Sequence, residues 1–293
     1  MSWFSEYKKS LKNIYAEEFF DVFLYRPIGF IIVKTFYSLP ITPNQYSLLA
    51  LISGIFSSYY FYQGTELGFR LGAFFFFMFA VLDCCDGMVA RLKKNGTEFG
   101  RLIDGLVDYS VNIIVYFALG FGCRNLGLLY GIPVWIFVIL SGVSKAIHSI
   151  TYDHYLTEYL SYEKGNLGFA SNELESLNQR YIVARENNDS LKAFALKIYI
   201  GYTAIQLGKE KKPQNYNPKE YCQKNLMTLK LWSVIGPAVH ITFLILAFIL
   251  NVPNLYFFYA IVFGNIWLVL MFLFQFKTNN SLNQMNPRSA ASL

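Results

Sequence analysis

Six stretches of this chain, about residues 46–63, 71–90, 102–122, 127–149, 231–250 and 254–276, stay apolar over the length of a membrane crossing. A helix needs roughly 20 mostly apolar residues to traverse the hydrocarbon, and one barrel strand about half as many. In lipid only helices and closed barrels satisfy every backbone N–H and C=O. These lengths therefore predict an all-α integral membrane protein with six transmembrane helices. Only 15% of the 293 residues are charged, against about a quarter in soluble domains, which agrees.

A seventh stretch, "FFDVFLYRPIGFIIVKTFYSLP" (19–40), is interrupted by Asp21, Arg26, Pro27 and Lys34. Its longest clean run, Pro27–Val33, is too short to span. It reads as an amphipathic helix in the membrane interface, its basic side chains reaching headgroups. With the N-terminus inside, segments 1–45, 91–101, 145–230 and 277–293 hold 23 of the 25 Lys and Arg, and only Arg70 and Arg124 fall outside. The distribution predicts both termini on the cytosolic side, at the cytoplasmic membrane of a bacterium or the endoplasmic reticulum of a eukaryote. The net charge of +6 then describes the cytosolic face. It suits anionic headgroups and phosphorylated substrates, and no nucleic-acid partner is expected.

The start, "MSWFSEYKKSLKN", lacks the apolar core and cleavage site of a signal peptide. The cysteines at 84, 85, 123 and 222 have no metal-ligand spacing, and the adjacent pair suits a disulfide poorly. The expected organisation is a cytosolic segment with a juxtamembrane helix (1–45), spans one to four (46–149), a cytosolic helical insertion (150–228), spans five and six (229–276) and a disordered tail (277–293). Within the insertion, Asn172 with Glu175 resembles a capping box. Asp189 is placed to cap a following helix with an apolar stripe, "LKAFALKIYIGYTAIQLGK", and "KEKKPQNYNPKEY" reads as a solvated linker.

The stretch "DCCDGMVARLKKNGTEFGRLIDGLVD" (83–108) sits between two of the spans. Asp83 and Asp86 are three apart, Asp104 and Asp108 four apart, and on helices both spacings share a face. Gly87 and Ala90 share the first face, and Gly100 shares the second. A short loop makes the two helices antiparallel, so the acidic faces can meet near the cytosolic boundary. Four carboxylates in one small volume need protons, ion pairs with Arg91, Arg101, Lys93 or Lys94, or bound cations. An all-oxygen donor set suits Mg²⁺, Mn²⁺ or Ca²⁺ rather than zinc. Two such ions would balance four carboxylates and can clamp a phosphoryl group between attacking and leaving oxygens. The competing reading is an ion-pair network that only fixes helix packing.

The pattern Asp83-x-x-Asp86-Gly87-x-x-Ala90-Arg91, eight residues, Gly100-x-x-x-Asp104-x-x-x-Asp108 resembles the signature of the CDP-alcohol phosphotransferases at all eight defining positions. "TPNQYS" (42–47), "RPI" (26–28) and "TEFG" (97–100) are similar to further stretches of that family. The resemblance covers residues 20–150. It implies six transmembrane helices, a homodimer, and an active site open to the cytosol. The reaction it implies joins an acceptor alcohol to the donor's phosphate and releases CMP, in phospholipid biosynthesis. By position, Asp83, Asp86, Asp104 and Asp108 would hold two Mg²⁺ or Mn²⁺ ions, with Asp108 as general base on the acceptor hydroxyl. Gly87, Ala90, Arg91 and Gly100 would shape the CDP pocket, with Thr97 and Asn44 as further lining. An Asp that touches a divalent ion is a weak base, so Asp108 serves only if it coordinates loosely.

Lys145 at the inner end of span four and His240 in span five are candidates for the acceptor site. Lys145 would otherwise snorkel to the interface, and His240 would bond a neighbouring helix. Asn265 and Gln275 are expected to make helix–helix contacts. No Lys or Arg lies between 231 and 276, which argues against a strongly anionic small acceptor. Tyr109 stands where many members have a basic residue. CDP-diacylglycerol is the preferred donor. Alternatives are a small CDP-alcohol such as CDP-inositol, CDP-choline or CDP-ethanolamine with a lipid acceptor, or a membrane transporter using the acids as a cation site.

Overall fold

The computed structural model describes residues 3–11, 13, 16–125, 132–165, 169–207 and 216–285. Among them every regular element is helical. In chain order these are α1 (Trp3–Ser10), α2 (Arg26–Thr35), α3 (Pro43–Tyr62), α4 (Glu66–Lys93), α5 (Glu98–Gly122), α6 (Val134–Glu163), α7 (Phe169–Glu186), α8 (Ser190–Leu207), α9 (Pro218–Trp232), α10 (Pro237–Ile249), α11 (Pro253–Phe258) and α12 (Gly264–Met285). Among the described residues, five helical stretches are long and apolar enough to cross a membrane: Glu66–Lys93, Ile103–Gly122, Val134–Glu163, Pro218–Ile249 and Pro253–Asn283. The first expected span, 46–63, coincides with α3. That helix has the required length, but its Ser, Tyr, Asn and Gln side chains lower its hydropathy.

Two compact units divide the chain: residues 1–146 with 237–264, and residues 147–236 with 265–293. In the first, α3 packs along α4 and α5, and α2 and α10 pack on α4. Lipid tails are as apolar as leucine, so spans associate through close packing and hydrogen bonds rather than hydrophobic gain. Gly54 shows this: a Cβ there would lie 2.5 Å from both Val111 methyls, so the Val111 side chain of α5 packs directly on the α3 backbone. Between α3 and α4 the chain turns at Gly64, whose φ of +63° favours glycine. Phe61, Phe69, Phe76, Phe79, Leu244 and Phe248 fill the core.

The stretch 19–40, expected at the interface, is helical as far as Thr35, with a π-helical turn over Asp21–Tyr25 leading into α2. Pro27 lacks the N–H that would bond the Phe23 carbonyl, and the helix widens just before it. One expectation fails here. Arg26 does not reach outward; it is buried, with its Nε 2.7 Å from Glu17 Oε2. Lys34 pairs with Glu6 of α1 at 2.6 Å. Glu18, also buried, accepts from the Ala238 and Val239 N–H groups at 3.1 and 3.3 Å and so caps α10. The Tyr25 and Thr242 hydroxyls are hydrogen-bonded at 2.8 Å.

Helix α6 runs unbroken to Glu163, past the expected start of the insertion at 150. Asn172 lies inside α7 rather than at its cap. Asn188 closes α7 in the left-handed conformation, φ +56°, with Asp189 N–H bonding the Ala184 carbonyl and Asn188 N–H that of Arg185. Asp189 then caps α8 through the Lys192 N–H at 3.1 Å, as the sequence predicts. The expected linker 209–221 ends early: Asn217 caps α9 and Pro218 opens it, while residues 208–215 lie outside the described residues. Gln275 joins α12 to α9, donating to Asn225 Oδ1 at 2.9 Å and accepting from Trp232 Nε1 at 3.0 Å. The tail expected from 277 is helical to Met285, tied by Lys224–Ser281 and Tyr216–Asn283 hydrogen bonds. Residues 286–293, and 127–131 of the expected fourth span, lie outside the described residues.

Candidate active site

Helices α4 and α5 bring the acids together as their spacing predicts. Oxygens of Asp83, Asp86 and Asp104 all lie within 4.8 Å of one another. Asp108, one turn beyond Asp104, is hydrogen-bonded to Asp83, and Asp86 to Asp104. Carboxyl groups meet this closely only with a shared proton or a cation between them. Asp86 is 6% exposed and accepts from the Ser47 hydroxyl at 2.6 Å. Ser47, on α3, is a site residue that sequence reasoning did not single out, although it ends the "TPNQYS" stretch.

The donor set is all carboxylate oxygen, clustered and partly buried. It fits a hard divalent cation and does not fit zinc. The cluster could hold a metal ion.

The α4–α5 turn builds the rest of the face. Lys94 ends α4 with φ +53°, and Thr97 caps α5 by accepting from the Gly100 N–H at 2.9 Å. A Cβ at Gly100 would sit 2.8 Å from Asn44 Oδ1 and 3.0 Å from Thr97 Oγ1. Three residues predicted for the CDP pocket, from two helices, therefore converge on one point. Asn44 is fixed at the start of α3, where Gln45 Oε1 accepts from the Thr42 N–H at 2.8 Å. Gly87 leaves room for the Arg91 guanidinium, whose Nη atoms lie 3.2 and 3.3 Å from where a Cβ would be. Arg91 Nε donates to the Ser10 carbonyl, and Lys93 Nζ to those of Leu39 and Ile41 at 2.8 and 3.2 Å. Ala90 is half-buried, next to the position a Cβ on Gly96 would take.

Lys145 neither snorkels outward nor touches the acids directly. It is 7% exposed and donates to Asn112 Oδ1, and Asn112 Nδ2 donates to the Asp108 carbonyl at 2.8 Å. Its ammonium also lies over the rings of Phe76 and Tyr116. His240 is fully buried, its Nδ1 3.4 Å from the Tyr256 hydroxyl, which in turn bonds that of Tyr116. Lys145 thus joins the Asp108 backbone through Asn112, while His240 joins the Tyr256–Tyr116 hydroxyl pair. The cysteines are all free, and Cys85 packs its Sγ on the Gly29 carbonyl of α2.

The arrangement is a set of acids that can bind a metal, on helix faces that also carry small residues, an arginine and an amide group. Residues 40–163, from just before α3 to the end of α6, match the family model for CDP-alcohol phosphatidyltransferase. The chain is 31% identical over 89 residues to the archaetidylinositol phosphate synthase of Pyrococcus horikoshii, covering 30% of this chain and 46% of that protein. It is 32% identical over 101 residues to the bifunctional IPC transferase and DIPP synthase of Aquifex aeolicus, covering 34% of this chain and 22% of that protein. The chain thus spans less than half the length of the curated relatives it matches.

Proposed function

We propose that the protein is a multi-pass membrane enzyme that transfers a phosphoalcohol group from a CDP-linked donor to an acceptor hydroxyl and releases CMP. The observation that carries this reading is the convergence of Asp83, Asp86 and Asp104 within 4.8 Å, inside the stretch that matches the family. In this reading α3 is the first of six spans, and the acids face the cytosol, where most of the basic residues lie.

The acceptor oxygen forms a bond to the phosphorus that carries the donor's alcohol. The bond from that phosphorus to its bridging oxygen breaks, and the electron pair leaves with CMP. Asp108 takes the hydroxyl proton, because a hydroxyl is a poor nucleophile near neutral pH. Asp83, Asp86, Asp104 and, loosely, Asp108 would hold two Mg²⁺ or Mn²⁺ ions. The ions would stabilise charge on the transferred group and on the departing phosphate. Arg91 orients the donor's diphosphate, while Asn44, Thr97, Gly87, Ala90 and Gly100 shape the nucleotide's pocket. The relative named for archaetidylinositol phosphate supports a lipid-linked product, and CDP-diacylglycerol is the donor we favour.

Purified protein in detergent should release CMP from CDP-diacylglycerol, or from a small CDP-alcohol, only with Mg²⁺ or Mn²⁺ and a matching acceptor. Asp104→Asn should abolish release while the protein stays folded. Full turnover in that variant, or in excess chelator, would overturn the proposal.

A further inference from the structure

The hairpin of α7 and α8 has no part in the transfer reaction, and its two helices pack on each other. Leu177 and Ala184 of α7 and Ala193, Leu196 and Thr203 of α8 are buried. On the outer side of α8, Phe194, Lys197, Ile198 and Gly201 stand three and four apart and so share one face. All four are exposed, Phe194 at 64%.

Charge separates the two helices. Helix α8 holds Lys192 and Lys197 and no acid, and residues 190–212 hold five lysines against Glu210 alone. Helix α7 holds Glu173, Glu175 and Glu186 against Arg180 and Arg185. Its exposed Ile182 and Val183 are interleaved with the exposed Glu175, Gln179 and Glu186. Helices packed side by side turn their outer faces apart. The hairpin therefore has one basic, apolar side and one acidic side.

At its tip a cavity of about 310 Å³ is lined by Tyr181, Arg185, Asn188, Ser190, Phe194 and Lys197. Among the described residues, neither Arg185 nor Lys197 makes an ion pair. Asp189, also in the wall, accepts from the Lys192 N–H through Oδ1 at 3.1 Å. A guanidinium and an ammonium beside an outward phenyl ring match a lipid phosphate with its acyl chains. Connectivity keeps the hairpin near lipid. Helix α6 and the stretch Pro218–Ile249, which flank it in the chain, are long and apolar enough to cross a membrane. The 30 residues of α6 extend roughly 45 Å, about 15 Å beyond the hydrocarbon thickness. Residues 164–168 then join α6 to α7, a reach of at most roughly 20 Å.

We propose that the α7–α8 hairpin is a surface anchor for anionic lipid. Helix α8 lies in the headgroup layer with Phe194 and Ile198 inserted, Arg185 and Lys197 hold headgroup phosphates at the cavity, and the acidic side of α7 faces water. The anchor requires that the chain sits in a membrane and is independent of the transferase reading.

Tryptophan reporters in the full chain, reconstituted in nanodiscs, test the anchor. Phe194→Trp adds emission from α8 and Ile182→Trp adds emission from α7, each read as the difference from wild type. In discs of phosphatidylcholine mixed with phosphatidylglycerol, brominated acyl chains should quench the Phe194→Trp emission and spare that of Ile182→Trp. In phosphatidylcholine alone the Phe194→Trp quenching should fall. Raising the salt of the mixed discs should lower it too, with the basic pair intact. Adding Arg185→Gln and Lys197→Gln should remove most of the gain from phosphatidylglycerol, each charge being worth roughly a fivefold shift in the surface equilibrium. The four substituted side chains are exposed, so the fold should tolerate these changes, and an unchanged far-ultraviolet circular dichroism spectrum checks it. Equal quenching at the two reporter sites, or with and without phosphatidylglycerol, would overturn the anchor. So would Phe194→Trp emission that brominated lipid does not reach, whether acrylamide finds it in water or a second copy shields it from both.

Discussion

The Ser47 hydroxyl donates to Asp86 Oδ2 at 2.6 Å, linking the first turns of α3 to the acidic face of α4. Both residues are nearly buried, so the bond fixes which way the carboxylate points. Groups that orient metal-binding side chains typically change metal affinity or activity by about 10–100-fold when removed. Ser47→Ala should therefore raise the Mg²⁺ concentration needed for CMP release by about that factor, with the thermal midpoint little changed. Ser47→Thr, which keeps the hydroxyl, should stay close to wild type. Equal metal dependence in Ser47→Ala would show that Asp86 is oriented by other means.

Gly100→Ala probes the nucleotide face. Its methyl would press on Asn44 Oδ1 at 2.8 Å and on Thr97 Oγ1 at 3.0 Å, so one of them must move. Losing the Thr97 cap costs about 1 kcal/mol, a small penalty for the fold. The expected result is a KM for the CDP-linked donor raised by about tenfold, with unchanged far-ultraviolet circular dichroism. A wild-type KM would place the nucleotide elsewhere.

Glu18 caps α10 from a distance of 220 residues. Removing a buried acceptor leaves the Ala238 and Val239 N–H groups without it, at a cost of about 1–3 kcal/mol. Glu18→Ala should lower the unfolding midpoint in detergent, and Glu18→Gln, whose amide oxygen still accepts, should lower it less. An unshifted midpoint in the alanine variant would mean that water replaces the cap at no cost.

The hydrogen bond from Lys34 holds the Glu6 carboxyl below its ordinary value of 4.5. A depressed folded-state value means that the pair stabilises α1 above that ordinary value and stops doing so as pH falls through the folded one. Hydrogen exchange of the α1 amides, corrected for intrinsic rates, should be flat from neutral pH to about 5.5 and should quicken below 4.5. Lys34→Met should abolish that step. A step of the same size in the variant would assign it to another group.

The acidic site was legible because its information is local: spacings of three and four set a helix face whatever the surroundings. Asn44, Thr97 and Gly100 were singled out through the family pattern, and the structure brings the three close together. Arg26 was misread for the opposite reason. Nothing within 19–40 announces an inward arginine, because the carboxylate that turns it inward, Glu17, lies before the periodic stretch. Helix α6 outruns the expected fourth span because Asp153, His154 and Glu158 end the apolar run without ending the helix. Polarity marks where a span would leave lipid, whereas a helix stops only where its backbone does. Ser47 carried no charge to draw notice.

The Glu18 cap also sets a timetable. The residue leaves the ribosome early, and the two N–H groups it serves are made some 220 residues later. The Tyr25–Thr242 bond has nearly the same separation, 217. Until both ends exist, the first compact unit lacks both of these long-range hydrogen bonds, and closing so long a loop is slow. Assembly of that unit thus waits on translation past residue 242. A nascent chain halted before that point would present every proposed catalytic residue in an unfinished protein, exposed to quality control.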